Sequence, residues 1–261
     1  MRIAILADVH ANLAALEAVL RHAEAQAATD AVWCLGDTVD YGPQPSECIA
    51  RLRGLGAVAV AGNHDRAATG AIGTEEFNPD AATAAVWTRA RLSPDDAAYL
   101  DALPEVAYAS AGRDAGPESG ASGAEFTLVH GTLRDPIWEY LHSHEAALAH
   151  LERQQTPFSF VGHTHIPVLV LPGDEFPHGC ELYHLEDGAR RQLPGDRKLV
   201  INPGGVGQPR DGDPRAAYAV YDSEQKTITV HRVEYDIPAT QRLMEDAGLP
   251  RWLIDRLAIG R

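Results

Sequence analysis

Arg2-Ile3-Ala4-Ile5-Leu6-Ala7-Asp8-Val9-His10 opens on an apolar run that ends at a carboxylate and an imidazole two residues apart. A short run without polar alternation reads as a strand buried on both faces, as in parallel sheets. Directly after it, Leu13, Leu16, Leu20 and Ala23 recur at spacings of three and four, the pattern of an amphipathic helix. Strand, polar turn and helix together form the unit of an α/β sheet, and the unit repeats. Ala31–Leu35 reads as a second strand, Ser46–Arg53 as a short helix and Ala57–Ala61 as a third strand. Helical patterns follow at Asp80–Leu92, with Pro79 suited to a first turn, and at Pro94–Leu103.

Farther along, Ser110–Ala124 is rich in Gly, Ser and Ala and reads as a mobile loop between two strands. Strand Phe126–Val129, helix His144–Gln154 and strand Phe158–Val161 come next. From Pro167 onward the chain turns to strand-and-turn character: Val168–Leu171, Glu181–Leu185, Lys198–Ile201, Ala217–Tyr221 and Thr227–Val233. Ala239–Ile259 looks helical, with a break at Gly248–Pro250. With no internal repeat and no linker, residues 1–261 read as one domain.

Five of these strands run into loops holding side chains of metal-ligand type. They are Asp8-Val9-His10, Gly36-Asp37-Thr38-Val39-Asp40, Gly62-Asn63-His64-Asp65, His130-Gly131 and Gly162-His163-Thr164-His165. Open α/β sheets gather ligands at the carboxyl ends of their strands, so the five loops are expected to converge. The mixed oxygen and nitrogen donors suit Mn, Fe, Zn or similar ions. Gly36, Gly62, Gly131 and Gly162 would permit sharp turns and close backbone approach. Each block alone is a weak signal; the order of the five, each behind a strand, is what counts.

That ordered set resembles the calcineurin-like metallophosphoesterases: D-x-H, G-D, G-N-H-D, H-G and G-H-T-H, spanning Asp8 to His165. Asn202-Pro203-Gly204-Gly205-Val206-Gly207-Gln208-Pro209-Arg210 is similar to a late loop of their small bacterial and archaeal members. The resemblance implies a four-layer α/β/β/α sandwich and two divalent metal ions. Mn comes first among the candidates, with Fe, Zn, Ni or Mg as alternatives. It implies that Asp8, His10 and His165 hold one ion, that Asn63, His130 and His163 hold the other, and that Asp37 bridges them. A metal-bridging hydroxide would attack phosphorus, His64 would protonate the leaving group, and Asp40 would hydrogen-bond His64 and fix its tautomer. The implied activity is hydrolysis of a small or nucleotide phosphoester, as a phosphodiesterase or a phosphatase. Two rivals carry different expectations: a metal-binding scaffold of the same fold, and a protein Ser/Thr phosphatase. Retention of His64 speaks against the scaffold. The phosphatase branch has Arg where Tyr41 stands, which disfavours that rival and moves the expectation toward a diester. Arg210 or Arg134 would restore the missing clamp.

Other residues read more plainly. Asp65 suits a turn or helix cap, and Ser143 a helix N-cap that leaves His142 and His144 on the surface. Trp87 and Trp138 suit packing, and Asn202–Arg210 is expected to border the site. The chain is 45% hydrophobic with a formal net charge of −15 and a pI near 5.1, enough apolar material for a sizeable core. The spread acidity excludes a basic track for a long nucleic-acid duplex. No apolar run approaches the ~20 residues of a membrane span. Three cysteines without C-x-x-C spacing suit a reducing cytoplasm, with Cys34 inside an apolar strand.

Overall fold

The computed structural model describes residues 1–111, 113–116 and 121–261, with the backbone alone described for 113–116. In chain order the first half contains β1 (Arg2–Leu6), α1 (Leu13–Ala25), β2 (Ala31–Cys34), α2 (Pro45–Gly54), β3 (Val58–Ala59), α3 (Asn63–Thr69), α4 (Pro79–Arg89) and α5 (Pro94–Asp101). It closes with β4 (Val106–Ser110), β5 (Arg113–Gly116) and β6 (Phe126–Val129). There follow α6 (His144–Arg153), β7 (Phe158–Phe160), β8 (Pro167–Pro172), β9 (Cys180–His184), β10 (Arg190–Gln192), β11 (Leu199–Pro203), β12 (Ala216–Asp222) and β13 (Thr227–Val233). Helices α7 (Ile237–Asp246) and α8 (Arg251–Asp255) and a 3-10 turn at Arg256–Ala258 end the chain. The loop expected at Ser110–Ala124 falls partly outside the described residues, at 112 and 117–120. Its described part includes β5, paired antiparallel with β4.

Two sheets result, one ordered β10-β13-β12-β1-β2-β3 and the other β5-β4-β6-β7-β11-β8-β9. Strands β1, β2 and β3 run parallel to one another, as do β6, β7 and β11. The two-residue period of each strand sorts its side chains between two cores. In β1, Ile3 and Ile5 enter the core between the sheets, with Trp33 of β2, Phe126 of β6, Phe160 of β7 and Ile201 of β11. Ala4 and Leu6 face the other way, onto Leu16 and Val19 of α1 and Ile49 and Leu52 of α2. Across the molecule, Val129, Val161, Val170 and Val200 pack beneath Ala147 and Leu151 of α6. Helix, sheet, sheet and helix therefore make four layers, the architecture expected from the sequence. Cys34 is buried in the outer core of the first sheet.

The C-terminal helices serve a further purpose. Met244, Leu249, Leu253, Ile254 and Leu257 bury themselves around Tyr41 and Ala81 and Ala84 of α4. This small fourth cluster packs the end of the chain against the loop that follows β2.

Candidate metal centre

Each ligand-type side chain lies just past a strand of the two sheets' parallel portions. Asp8 and His10 follow β1, Asp37 and Asp40 follow β2, and Asn63 and His64 open α3 behind β3. His130 follows β6, and His163 and His165 follow β7. All are buried. Backbone bonds lace the loops together across the sheets: Asp8 N–H donates to the Gly36 carbonyl at 3.1 Å, and Gly162 N–H to the His130 carbonyl at 2.8 Å. Gly36 adopts φ +86°, and a Cβ there would fall 2.8 Å from the Gly62 nitrogen and 2.9 Å from His130 Nδ1. Only glycine lets the two loops close on His130.

The imidazoles are fixed by what their outer nitrogens face. A carbonyl oxygen only accepts, so a ring nitrogen against one carries the proton, and in a neutral ring its opposite nitrogen presents a lone pair. His10 Nδ1 faces the Val39 carbonyl at 3.2 Å, and His165 Nδ1 faces the Gln208 carbonyl. Their Nε2 atoms then confront each other at 3.2 Å. His130 Nδ1 faces the Leu35 carbonyl at 2.8 Å, and His163 Nε2 faces the Trp138 carbonyl at 3.1 Å. His130 Nε2 lies 3.0 Å from His163 Nδ1 and 3.2 Å from Asn63 Oδ1. Burial holds His10, His163 and His165 well below the ordinary histidine range, so these rings are neutral.

Carboxylate oxygens complete both clusters. Asp37 Oδ2 lies 3.6 Å from His10 Nε2 and 3.3 Å from His130 Nε2, and Asp8 Oδ1 lies 3.5 Å from His165 Nε2. Asp8 Oδ2 and Asp37 Oδ2 are buried without a hydrogen-bond partner. Burial pushes Asp8 up to about 7, and the Asp37 charge adds to this. Burial raises Asp37 too, but His130, His64 and His10 outweigh it and hold Asp37 well below the usual carboxylate range. For His130, burial is likewise outweighed, here by Asp37 and Asp8, and the ring is pushed up to about 9. Asp8, His10, Asp37 and His165 form one set of ligand atoms within 4.8 Å of one another; Asp37, His130 and His163 form a second. Facing lone pairs and unpartnered carboxylate oxygens repel one another in a dry interior unless a cation lies among them. The donor set fits a divalent transition metal.

Beside the clusters, Asp40 Oδ2 accepts a hydrogen bond from His64 Nδ1 at 2.5 Å. The His64 ring lies 4.4 Å from Tyr41, 4.9 Å from His10 and 4.8 Å from Phe77. Asp65 does not face the ligands: its carboxylate accepts from Thr38, Val39 and Gly62 N–H groups at 2.9, 3.2 and 3.0 Å. It caps α3 and braces the Asp37 loop, the structural role expected of it.

The loop Asn202–Arg210 borders the site. Val206 N–H donates to Ala7 and Gly207 N–H to Asp8, and Gln208 supplies the carbonyl under His165. Arg210 reaches Tyr41, whereas Arg134 is held by Glu139 and Glu145 on the surface. Ser143 caps α6 as expected, accepting from Ala146 N–H; His142 is exposed and His144 half-buried. Trp87 donates to the Ala247 carbonyl, and Trp138 lies against Phe77 at 5.1 Å. Phe77 and Tyr140 carry no signal in the sequence. Tyr140 stacks on His163, ring centres 3.7 Å apart, and only the folded loop after β6 brings it there.

Residues 1–226 match the family model described as the calcineurin-like phosphoesterase superfamily domain. An uncharacterized protein of Methanocaldococcus jannaschii is 35% identical over 261 residues, covering 99% of this chain and 98% of the relative. The crystal structure of a metallophosphoesterase from Sphaerobacter thermophilus is 42% identical, covers both chains fully and superposes with a TM-score of 0.84. A hypothetical protein from Pyrococcus horikoshii OT3 shares the fold at 19% identity and a TM-score of 0.76, over 100% of this chain and 98% of the other.

Proposed function

Because the chain belongs to the calcineurin-like phosphoesterase superfamily, we propose that it hydrolyses a small phosphoester with two divalent metal ions. One ion would be held by Asp8, His10 and His165, the other by Asn63, His130 and His163, with Asp37 shared. The observation that carries this reading is the convergence of His10 on His165, with facing lone pairs, and of His130 on His163, around unpartnered oxygens of Asp8 and Asp37. When bound, the ions supply positive charge that polarises phosphoryl oxygens and acidifies water for attack on phosphorus. Mn is the first ion to test.

The chain's own contribution to bond cleavage is the His64–Asp40 pair. Asp40 holds the proton on Nδ1, so Nε2 is the position from which His64 gives a proton to the leaving alkoxide. The Asp40 carboxylate also steadies the imidazolium before transfer. Residues 1–261 act as one domain in this reading, because β13, α7 and α8, beyond the matched region, complete a sheet and cover Tyr41. The substrate is small, since the net charge of −15 disfavours a long polyanion. Among the described residues no helix is long and apolar enough to cross a membrane. The three free, buried cysteines suit a reducing compartment, and we place the protein in the cytoplasm.

The test compares alkyl and p-nitrophenyl phosphoesters, monoester and diester, with and without Mn, in wild type and His64→Ala. Turnover should require metal, and His64→Ala should lose roughly 10²-fold or more on alkyl esters, whose leaving groups need a proton. The loss should be smaller with p-nitrophenolate. Unchanged alkyl turnover in the variant would remove His64 from the acid role. Absence of turnover on every ester, with both ions bound, would instead favour a scaffold.

A further inference from the structure

Arg210 returns a cation to the place where the protein phosphatase branch has Arg and this chain has Tyr41. It comes from a different element, the loop after β11. Its guanidinium carbon lies 6.0 Å from the centre of the Tyr41 ring, and Nη2 is 3.5 Å from the Tyr41 hydroxyl and 3.4 Å from Gln208 Oε1. Tyr140 is a further neighbour, close enough to act on the guanidinium charge. Tyr41 lies 4.4 Å from His10, and Tyr140 is stacked on His163. Arg210 and the two phenols therefore span from one ligand cluster to the other.

In a chain with 37 carboxylates this guanidinium has no carboxylate within ion-pair distance among the described residues, whereas Arg51, Arg134, Arg215 and Arg232 all do. Arg210 Nε is buried with no partner, and so is Gln208 Nε2 beside it. A buried guanidinium nitrogen and a buried amide with open donors are costly unless an acceptor arrives to meet them, and the charge beside them favours an anion. The Arg210 charge is felt at Asp8, His10 and His165. Arg256, from the C-terminal 3-10 turn, adds a second positive charge; burial and the Arg210 field push it down to about 10.

We infer that Arg210, with Gln208 and the hydroxyls of Tyr41 and Tyr140, grips a non-bridging phosphoryl oxygen and makes the site select a phosphomonoester dianion over a phosphodiester. This rests on the reading of the adjoining clusters as a phosphoester site. A monoester offers three non-bridging oxygens and two negative charges; a diester offers two oxygens and one charge. The third oxygen is the one a guanidinium fork can take without competing with the clusters. The Coulomb gain from the same cation is about twice as large for the dianion. The diester preference expected from Tyr41 alone is thereby reversed.

Calorimetric titration of the Mn-loaded protein with inorganic phosphate and with dimethyl phosphate tests this without turnover. Arg210→Met should weaken phosphate about tenfold or more, the size of a lost charge-assisted hydrogen bond, and dimethyl phosphate less than about threefold. Tyr140→Phe should act in the same direction with smaller effect. Arg210→Lys, which keeps the charge but not the fork, should give a partial loss and carries the test should the methionine variant not fold. Equal losses on the two anions, or phosphate affinity unchanged in Arg210→Lys and Tyr140→Phe, would overturn the assignment. Paired kcat/KM values for methyl and dimethyl phosphate separate the two claims. Should neither ester turn over while Arg210→Met still loses phosphate, the hydrolase reading fails and the anion site stands. Normal turnover with an unmoved ester preference sinks the anion site alone.

Discussion

Asp40 sets one carboxylate oxygen against His64 Nδ1 at 2.5 Å and gives the other to its neighbour's amide, Tyr41 N–H, at 2.7 Å. Both residues sit in left-handed backbone, φ 74° for Asp40 and 59° for Tyr41, so the short carboxylate serves the turn and the histidine together. Asparagine tolerates that backbone and keeps the turn bond, which makes Asp40→Asn a clean probe. It removes the negative charge that steadies protonated His64, and should lower kcat/KM on an alkyl ester by roughly 10–100-fold with metal content unchanged. A loss within twofold would confine Asp40 to holding the turn. At this scale the sequence was informative because motif order survives folding: Asp8, His10, Asp37, Asn63, His130, His163 and His165 do lie together. Tyr140 and Phe77 could not be read, because their contacts depend on where long loops lie.

The loops between strand and helix are the strained part of the fold. Among the described residues ten non-glycine positions have positive φ, and eight of them (Asp8, His10, Ala11, Asp37, Asp40, Tyr41, His163 and His165) lie in the loops after β1, β2 and β7. Such conformations cost of order 1–3 kcal/mol each and persist only where surroundings hold them. Asp65 is one such support, since three buried N–H groups converge on it. Asp65→Ala leaves all three without an acceptor and should destabilise the protein by about 3 kcal/mol or more, read from the urea midpoint at unchanged m-value. A cost under about 1 kcal/mol would show that water replaces the carboxylate. The same tension explains what was illegible among the elements. Asn63–Thr69 is helix α3, although its ligands read as loop. Arg190–Gln192 is all polar and fully exposed, so no burial pattern marks it as edge strand β10.

At the scale of the whole molecule, the apolar runs disclosed the α/β class but not the stacking of two sheets, because a run buried on both faces looks alike against a helix or a sheet. The four-layer arrangement came from the family motifs. It has an energetic consequence, because facing the two sheets drives two carboxylates and four imidazoles into one dry space at the strand ends. Without ions, Asp8 and Asp37 repel each other there, and the His10 and His165 nitrogens oppose lone pairs. Metal binding should therefore be felt as global stability. An ion at a hundred times its Kd adds about 2.7 kcal/mol, which for a chain of this size is a rise of roughly 5–10 °C in Tm. Adding Mn to chelator-treated protein should raise Tm by that much for each ion bound. Asp37→Asn, which removes the shared carboxylate but keeps an oxygen for the His64 amide, should change both limits. The metal-free Tm should fall, because the Asp37 charge is what chiefly offsets the burial of His130, and the Mn-induced rise should vanish as well. If the variant instead keeps the Mn-induced rise, the two clusters are not joined through Asp37.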